Sequence, residues 1–390
     1  MNSNVTKVLL ILLIGCFSVH NAFADSETDY AAYINTLDNL QDDDFTKIVI
    51  EELTEYPFLF PNAADLDDLH FRLSAIYFEK DKEVESFFTH LQFIFLYPNS
   101  EHLTTVKDRL RSLLLEEGDF EPVRDKVESM LNPFIADTTR HGRYYAFIKN
   151  LVEYDLEPVN ELLVQASQRF IDTFPNSSKK DEVIFWRAEF LAKNEEFERA
   201  LAEHMKLTFL FNKSLYVSAS KLKMADIFTE ELDMHENAIV TLEEFLLEYP
   251  DDPQAAYAQM YMAKIIEEKK KKYLEAINAY KMVAIEYPQS LEAVPALFEA
   301  ARLYEDKFDE YDQAIRVYNQ IVREFPTDMK APYALAEAAR IYEKELDDYH
   351  NAVSVYFKVY GHYPESQIAP ESLYAAAEIS QKKLENYERA

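Results

Sequence analysis

Between Tyr311 and Phe325 the residues Ala314, Tyr318, Ile321 and Phe325 recur at spacings of three and four. That spacing gathers them on one face of a helix. The run from Ala331 to Lys344 behaves the same way through Leu335, Ala338, Ala339, Ile341 and Tyr342. With a polar turn between them, the pattern predicts a helical hairpin. The pair Phe325-Pro326 ends one helix, because proline disfavours helical geometry in the residue before it.

The hairpin repeats. Pro250, Pro288, Pro326 and Pro364 stand 38 residues apart, each behind an aromatic residue: Tyr249, Tyr287, Phe325 and Tyr363. One period earlier Phe211-Asn212 takes the slot, and Phe174-Pro175 lies 37 residues before that. Upstream, Phe60-Pro61 and Tyr97-Pro98 are again 37 apart. Counted from the proline slot, position 2 holds turn or N-cap formers: Ser177, Ser214, Asp252, Ser290, Asp328 and Ser366. Position 13 is alanine (Ala188, Ala225, Ala263, Ala301, Ala339, Ala377), as is position 26 (Ala238, Ala276, Ala314, Ala352, Ala390). Position 16 is aromatic or aliphatic (Phe228, Ile266, Tyr304, Tyr342), as are position 30 (Leu242, Tyr280, Tyr318, Tyr356) and position 33 (Phe245, Val283, Ile321, Val359). The small alanines let neighbouring helices approach closely.

Two segments, Ala314-Tyr318-Ile321-Pro326 and Ala352-Tyr356-Val359-Pro364, resemble the second helix of the tetratricopeptide repeat. Ala301 with Tyr304 and Ala339 with Tyr342 are similar to its first helix. The unit exceeds the usual length of about 34 residues by about four, most of them in the turn after the proline. Long units with a Tyr-Pro-x-Ser turn look like those of bacterial envelope proteins, such as the barrel-assembly lipoprotein and the Tol-Pal coordinator. The resemblance implies an all-α fold, an α-solenoid of roughly nine helical hairpins. It covers residues 175–390 as regular repeats, the last incomplete, because Tyr387-Glu388-Arg389-Ala390 is the opening of a second helix. Over 25–174 the repeats are degenerate: Pro133 is off register, and 120–160 lacks the columns. The unfinished last hairpin points to a fragment of a longer chain, or to a second subunit that completes the array.

Composition narrows the field. Four glycines in 390 residues, with 48% apolar residues, leave few positions for tight hairpins, phosphate-cradling loops or left-handed turns. Sheet-rich and nucleotide-binding α/β folds are thereby disfavoured. A formal charge of −31, spread along the chain, repels phosphate backbones and anionic headgroups, so nucleic acid is not an expected partner.

The N-terminus carries an address. Lys7 precedes an apolar run from Val8 to Val19, too short for a spanning helix of about 20 residues. Ala22-Phe23-Ala24 then has the small-x-small pattern of a cleaved signal, making 1–24 a signal peptide. Overlapping it, Leu13-Ile14-Gly15-Cys16 resembles a lipoprotein cleavage site, with Cys16, the only cysteine, as the alternative lipidation site. Either reading places the body in the periplasm or cell envelope, with the membrane reached only through a lipid anchor.

Catalytic patterns are missing. The sequence holds no phosphate loop, dinucleotide fingerprint or His-x-x-x-His pair, and the nine histidines are scattered, so no enzyme, cofactor or metal is expected. The resemblance does imply a binding surface, since first helices line the concave side of such arrays. There Lys264, Arg302 and Arg340 stand one repeat apart, and Tyr257 and Tyr333 share position 7. Two readings stay open. The strip grips a partner peptide, or the cations form surface ion pairs worth about 0.2–0.5 kcal/mol with Glu267, Glu305 and Glu343, three residues on. The expected function is a scaffold that docks other envelope proteins. The alternatives are a small-ligand-binding accessory of a transport system and the repeat region of a longer enzyme.

Overall fold

The structure is a computed structural model that describes residues 27–40, 42–115, 120 and 123–384. Residues 1–24, expected to be a signal peptide, lie outside the described residues, as do Cys16 and Ala390. The described chain is all-α. Two compact units divide it, 1–200 and 201–390.

In the first unit the helices are α1 (Glu27–Asp38), α2 (Asp43–Leu59), α3 (Leu66–Glu79), α4 (Glu83–Leu96), α5 (Leu103–Leu115), α6 (Arg124–Met130), α7 (Arg140–Tyr154), α8 (Asn160–Thr173) and α9 (Lys180–Lys193). Its organising element is α4, in which Phe87, Phe88, Leu91, Phe93, Ile94 and Phe95 are all buried. A helix apolar on every side must be covered on every side. Phe120 stacks on Phe87 at 3.8 Å, and Phe147 of α7 meets both Phe88 and Phe95 edge-on. The chain therefore folds back: the Arg140 guanidinium at the start of α7 donates to the carbonyls of Pro57 and Pro61, beside the end of α2. This explains why the repeat columns fade here. A helix enclosed on all faces has no solvent stripe to keep polar.

Helix α10 (Phe197–Leu210) spans the division. The second unit continues with α11 (Val217–Asp226), extended by a π-helical turn, Ile227–Glu231, and then α12 (His235–Glu248). After these come α13 (Ala255–Glu268), α14 (Tyr273–Glu286), α15 (Ala293–Phe308), α16 (Tyr311–Glu324), α17 (Ala331–Lys344), α18 (Tyr349–His362) and α19 (Ala369–Lys382). Each helix packs on the next. Ala225, Ala263, Ala301 and Ala339 of position 13, and Ala238, Ala276, Ala314 and Ala352 of position 26, are fully buried. So are Phe245, Val283, Ile321 and Val359 of position 33. The aromatic–proline corner is the same each time: Tyr249, Tyr287, Phe325 and Tyr363 have φ between −132° and −125° and ψ between 50° and 55°. Steric pressure from the proline ring drives this departure from helical geometry.

One open expectation resolves and another needs correction. The position-2 residues are turn formers and not N-caps: Asp252 and Asp328 accept from the backbone N–H two residues on, at 2.8 and 2.7 Å. The caps that follow, Gln254 and Lys330, make no side-chain capping bond. Nor does the scarcity of glycine prevent left-handed turns. Asp233, Lys271, Asp309 and Asp347, 38 residues apart, hold φ between 50° and 56° in the turn inside each hairpin. Aspartate tolerates this region better than most side chains.

Candidate functional site

The five candidate residues all lie on first helices of the second unit. Tyr257 and Lys264 are on α13, Arg302 on α15, and Tyr333 and Arg340 on α17. Both tyrosines are exposed, at 46% and 38%. Tyr257 stacks on Tyr261, one turn along, with centroids 5.9 Å apart. At the corresponding place on the intervening α15 stands Pro295, so the structure does not bring Tyr257 and Tyr333 into one contiguous pair.

The cations divide into two kinds. Arg302 donates through Nη2 to Oε1 of Glu267 on α13, at 2.5 Å, and through Nε to Glu299 on its own helix at 2.7 Å. Arg340 does the same one repeat later, to Glu305 at 2.5 Å and Glu337 at 2.6 Å. Neither pairs with the glutamate three residues on. The nearest carboxylates come instead from the previous repeat and from three residues before, with Asp306 at 3.3 Å from Arg302 and Glu345 at 3.6 Å from Arg340 more distant. At Glu267 a second-helix tyrosine completes the arrangement, Tyr280 donating to its other oxygen at 2.9 Å; two repeats on, Tyr356 likewise donates to Glu343 at 3.2 Å, where no arginine among the described residues joins them. Burial works against the charge on Arg302 and Arg340, but the bonds to their glutamates outweigh it and hold both firmly cationic. Burial, then the charge of Glu267, pushes the Tyr280 hydroxyl far above its ordinary range. The triad of tyrosine, glutamate and next-repeat arginine is a staple between neighbouring hairpins.

Lys264 is different. The residue 35 before it, where a staple carboxylate would stand, is Thr229. Thr229 spends its hydroxyl on the Ala225 carbonyl. Lys264 is exposed and, among the described residues, has no hydrogen bond or ion pair. It and the tyrosines are therefore the groups on this face that remain free for a ligand. Glu267 and Glu305 were expected as partners only of the cation on their own helix, and Tyr261 and Tyr280 were not among the sequence candidates. The signal of the inter-repeat pairing was a 35-residue offset, one period minus one helical turn.

One cluster with metal-ligand chemistry appears among the described residues. Asp68, Glu101 and His102 bring their ligand atoms within 4.8 Å of one another. His102 Nε2 meets Asp68 at 2.7 Å, and its ring stacks flat on Phe71 at 4.2 Å. A hydrogen bond from a stacked ring accounts for that geometry without an ion. Among the described residues no helix is long and apolar enough to cross a membrane.

Stacked hairpins joined by such staples define a helical repeat array. Residues 219–252 and 295–328 match the tetratricopeptide-repeat family, so the second unit carries repeats of that family. Solved structures similar to it include a tetratricopeptide repeat protein from Parabacteroides merdae, at 14% identity over 64% of this chain and 96% of that one, with a TM-score of 0.37. The C-terminal part of a repeat-containing protein from Cytophaga hutchinsonii gives 12% identity over 78% and 99%, with a TM-score of 0.43. Yeast Tom70 gives 10% over 92% and 97%, with a TM-score of 0.33. No curated protein matches the chain in sequence. The fold is that of a protein–protein interaction scaffold.

Proposed function

We propose that this chain is a non-catalytic scaffold of the bacterial cell envelope, which docks partner proteins on the first-helix face of its second unit. The carrying observation is the division of the polar groups on that face. Arg302 and Arg340 are engaged within the array, whereas Lys264 and the exposed rings of Tyr257 and Tyr333 are not. Tyrosines supply large contact area at small entropic loss, and an unpaired lysine draws a carboxylate. Arg302 and Arg340 add contact through their exposed edges while keeping their internal partners. The envelope address rests on Lys7, the apolar run to Val19 and Ala22-Phe23-Ala24, with Cys16 as the alternative anchor.

A photo-crosslinking amino acid placed at Tyr257, at Tyr333 and, on the second-helix side, at Val240 tests the docking face in the native cell. The same defined partner crosslinking from the first two sites and not from Val240 is the expected result. Crosslinking from Val240 alone, or recovery of the protein in the cytoplasmic fraction, would overturn the proposal.

A further inference from the structure

The first unit contains a partly open cavity of about 90 Å³, independent of the docking face. It exists because the chain folds back. Helices α2, α3 and α4 form one side, and α7 and α8 close the other. Leu73, Phe88 and Leu162 give it apolar walls. Among these walls stand polar groups that a packed core would not gather. Gln92 lies by the hydroxyl of the buried Tyr144 and lowers its otherwise raised pKa. Two guanidiniums, Arg140 and Arg169, reach the same space.

The charge there is opposite to that of the protein. In a chain of net charge −31 the cavity is lined by two arginines and one carboxylate, Glu85. Arg169 is shared loosely with Glu55 at 3.4 Å and lies over the Phe58 ring. Arg140 spends two of its five donors on the carbonyls of Pro57 and Pro61 and has no ion pair among the described residues. His70, beside them, is held neutral by burial and donates Nε2–H to the Thr89 carbonyl, so it adds no charge. Both guanidiniums lower the otherwise raised pKa of Tyr144, which shows that their field reaches the cavity.

From this convergence of two arginines, a tyrosine and an amide on an apolar chamber, we infer that the first unit binds a short carboxylate. The volume sets the size. A cavity of about 90 Å³ is several times the ~10–15 Å³ that one water requires on the same measure, so a ligand of a few non-hydrogen atoms fits. A carboxylate at one end meets the guanidiniums, the geometry arginine recognises best, and a short aliphatic body lies against Leu73, Phe88 and Leu162.

Calorimetric titration of the full chain with sodium propionate tests this, with propionamide as the neutral isostere and hexanoate as the oversized acid. Propionate is expected to bind at one saturable site, with the other two weaker by about tenfold or more, the value of a charge-assisted bond. Arg169→Gln should weaken propionate by a similar factor. Ala166→Leu, which fills the cavity and removes no charge, should abolish binding while circular dichroism stays that of the wild type; it also serves if the arginine variant fails to fold. No saturable binding of propionate, equal binding of propionamide, or unaltered binding in Ala166→Leu would overturn the assignment.

Discussion

Arg302 and Glu267 are 35 residues apart in sequence and joined at 2.5 Å, so the arginine of one hairpin closes on the carboxylate of the hairpin before it. The Glu267 side chain is only 11% exposed and also accepts from Tyr280. The full set of tyrosine, glutamate and arginine is made at this junction. At the preceding junction Thr229 replaces the glutamate, Leu242 the tyrosine and Lys264 the arginine, and no staple forms. At the junction after α17, Glu343 and Tyr356 remain but Glu378 occupies the arginine place, and Lys344 takes Glu343 instead. A carboxylate this enclosed needs both of its partners, because an unpaired buried charge is strongly unfavourable.

Arg302→Met should therefore destabilise the second unit by about 1–3 kcal/mol, below the figure for a fully buried pair because the arginine is part exposed. A double-mutant cycle with Glu267→Gln should return a coupling of about 1–2 kcal/mol. Lys264→Met, at the same helical position without a partner, should stay within about 0.5 kcal/mol of wild type. Urea denaturation of the five proteins, wild type, the three of the cycle and Lys264→Met, measures all three. Zero coupling would reduce the staple to a surface pair.

The alanines at position 26 set how closely second helices approach their neighbours, and Ala314 and Ala352 have no exposed surface. Ala314→Leu or Ala352→Leu should force the neighbouring helices apart at a loss of about 1–3 kcal/mol. Unchanged thermal midpoints in both variants would contradict the packing described.

The inner turns give a prediction of opposite sign. Lys271 holds φ of 56° with a side chain ill suited to it. Left-handed backbone disfavours an ordinary L-residue by about 1–2 kcal/mol, and glycine gives back about 0.5–1 kcal/mol through its freer unfolded chain. Lys271→Gly should therefore stabilise by about 0.5 kcal/mol, while Asp309→Gly, starting from a tolerant residue, should change little. A fall in urea midpoint for Lys271→Gly would show that its side chain makes a contact of its own.

These turns also show what could be read without coordinates. Asp233, Lys271, Asp309 and Asp347 form a column as regular as the prolines, yet glycine counting passed over them. The hairpins of the second unit were legible because each buries one stripe and leaves the other wet, so a column of small or apolar residues survives every repeat. The staples were not, because counting i to i+3 along one helix points Arg302 at Glu305, whereas stacking brings it to Glu267. The first unit was least legible. With α4 enclosed by α3, α5 and α7, its apolar residues have no period to detect, and Arg140 meeting Pro57 across 83 positions leaves no local trace.

That enclosure has a pH signature. His70 and His90 are buried in the first unit, and burial lowers both to a pKa of about 4. His90 donates Nδ1–H to the Ser86 carbonyl at 2.7 Å, and its Nε2 has no hydrogen-bond partner. A proton arriving there would sit desolvated, with Arg109 close enough to oppose it. The folded pKa is lower than the unfolded value of about 6.5, so between them the unfolded chain binds more protons and stability falls with pH. The loss begins below about pH 6.5 and is complete near pH 4, reaching on the order of 1–2 kcal/mol per histidine by pH 5. Urea midpoints at pH 7 and pH 5 should therefore differ, with the first unit opening earlier at the lower pH. In His90→Gln, which cannot take up the proton, the difference should shrink by about half, and an unaltered pH dependence there would show that the histidine is not the group responsible.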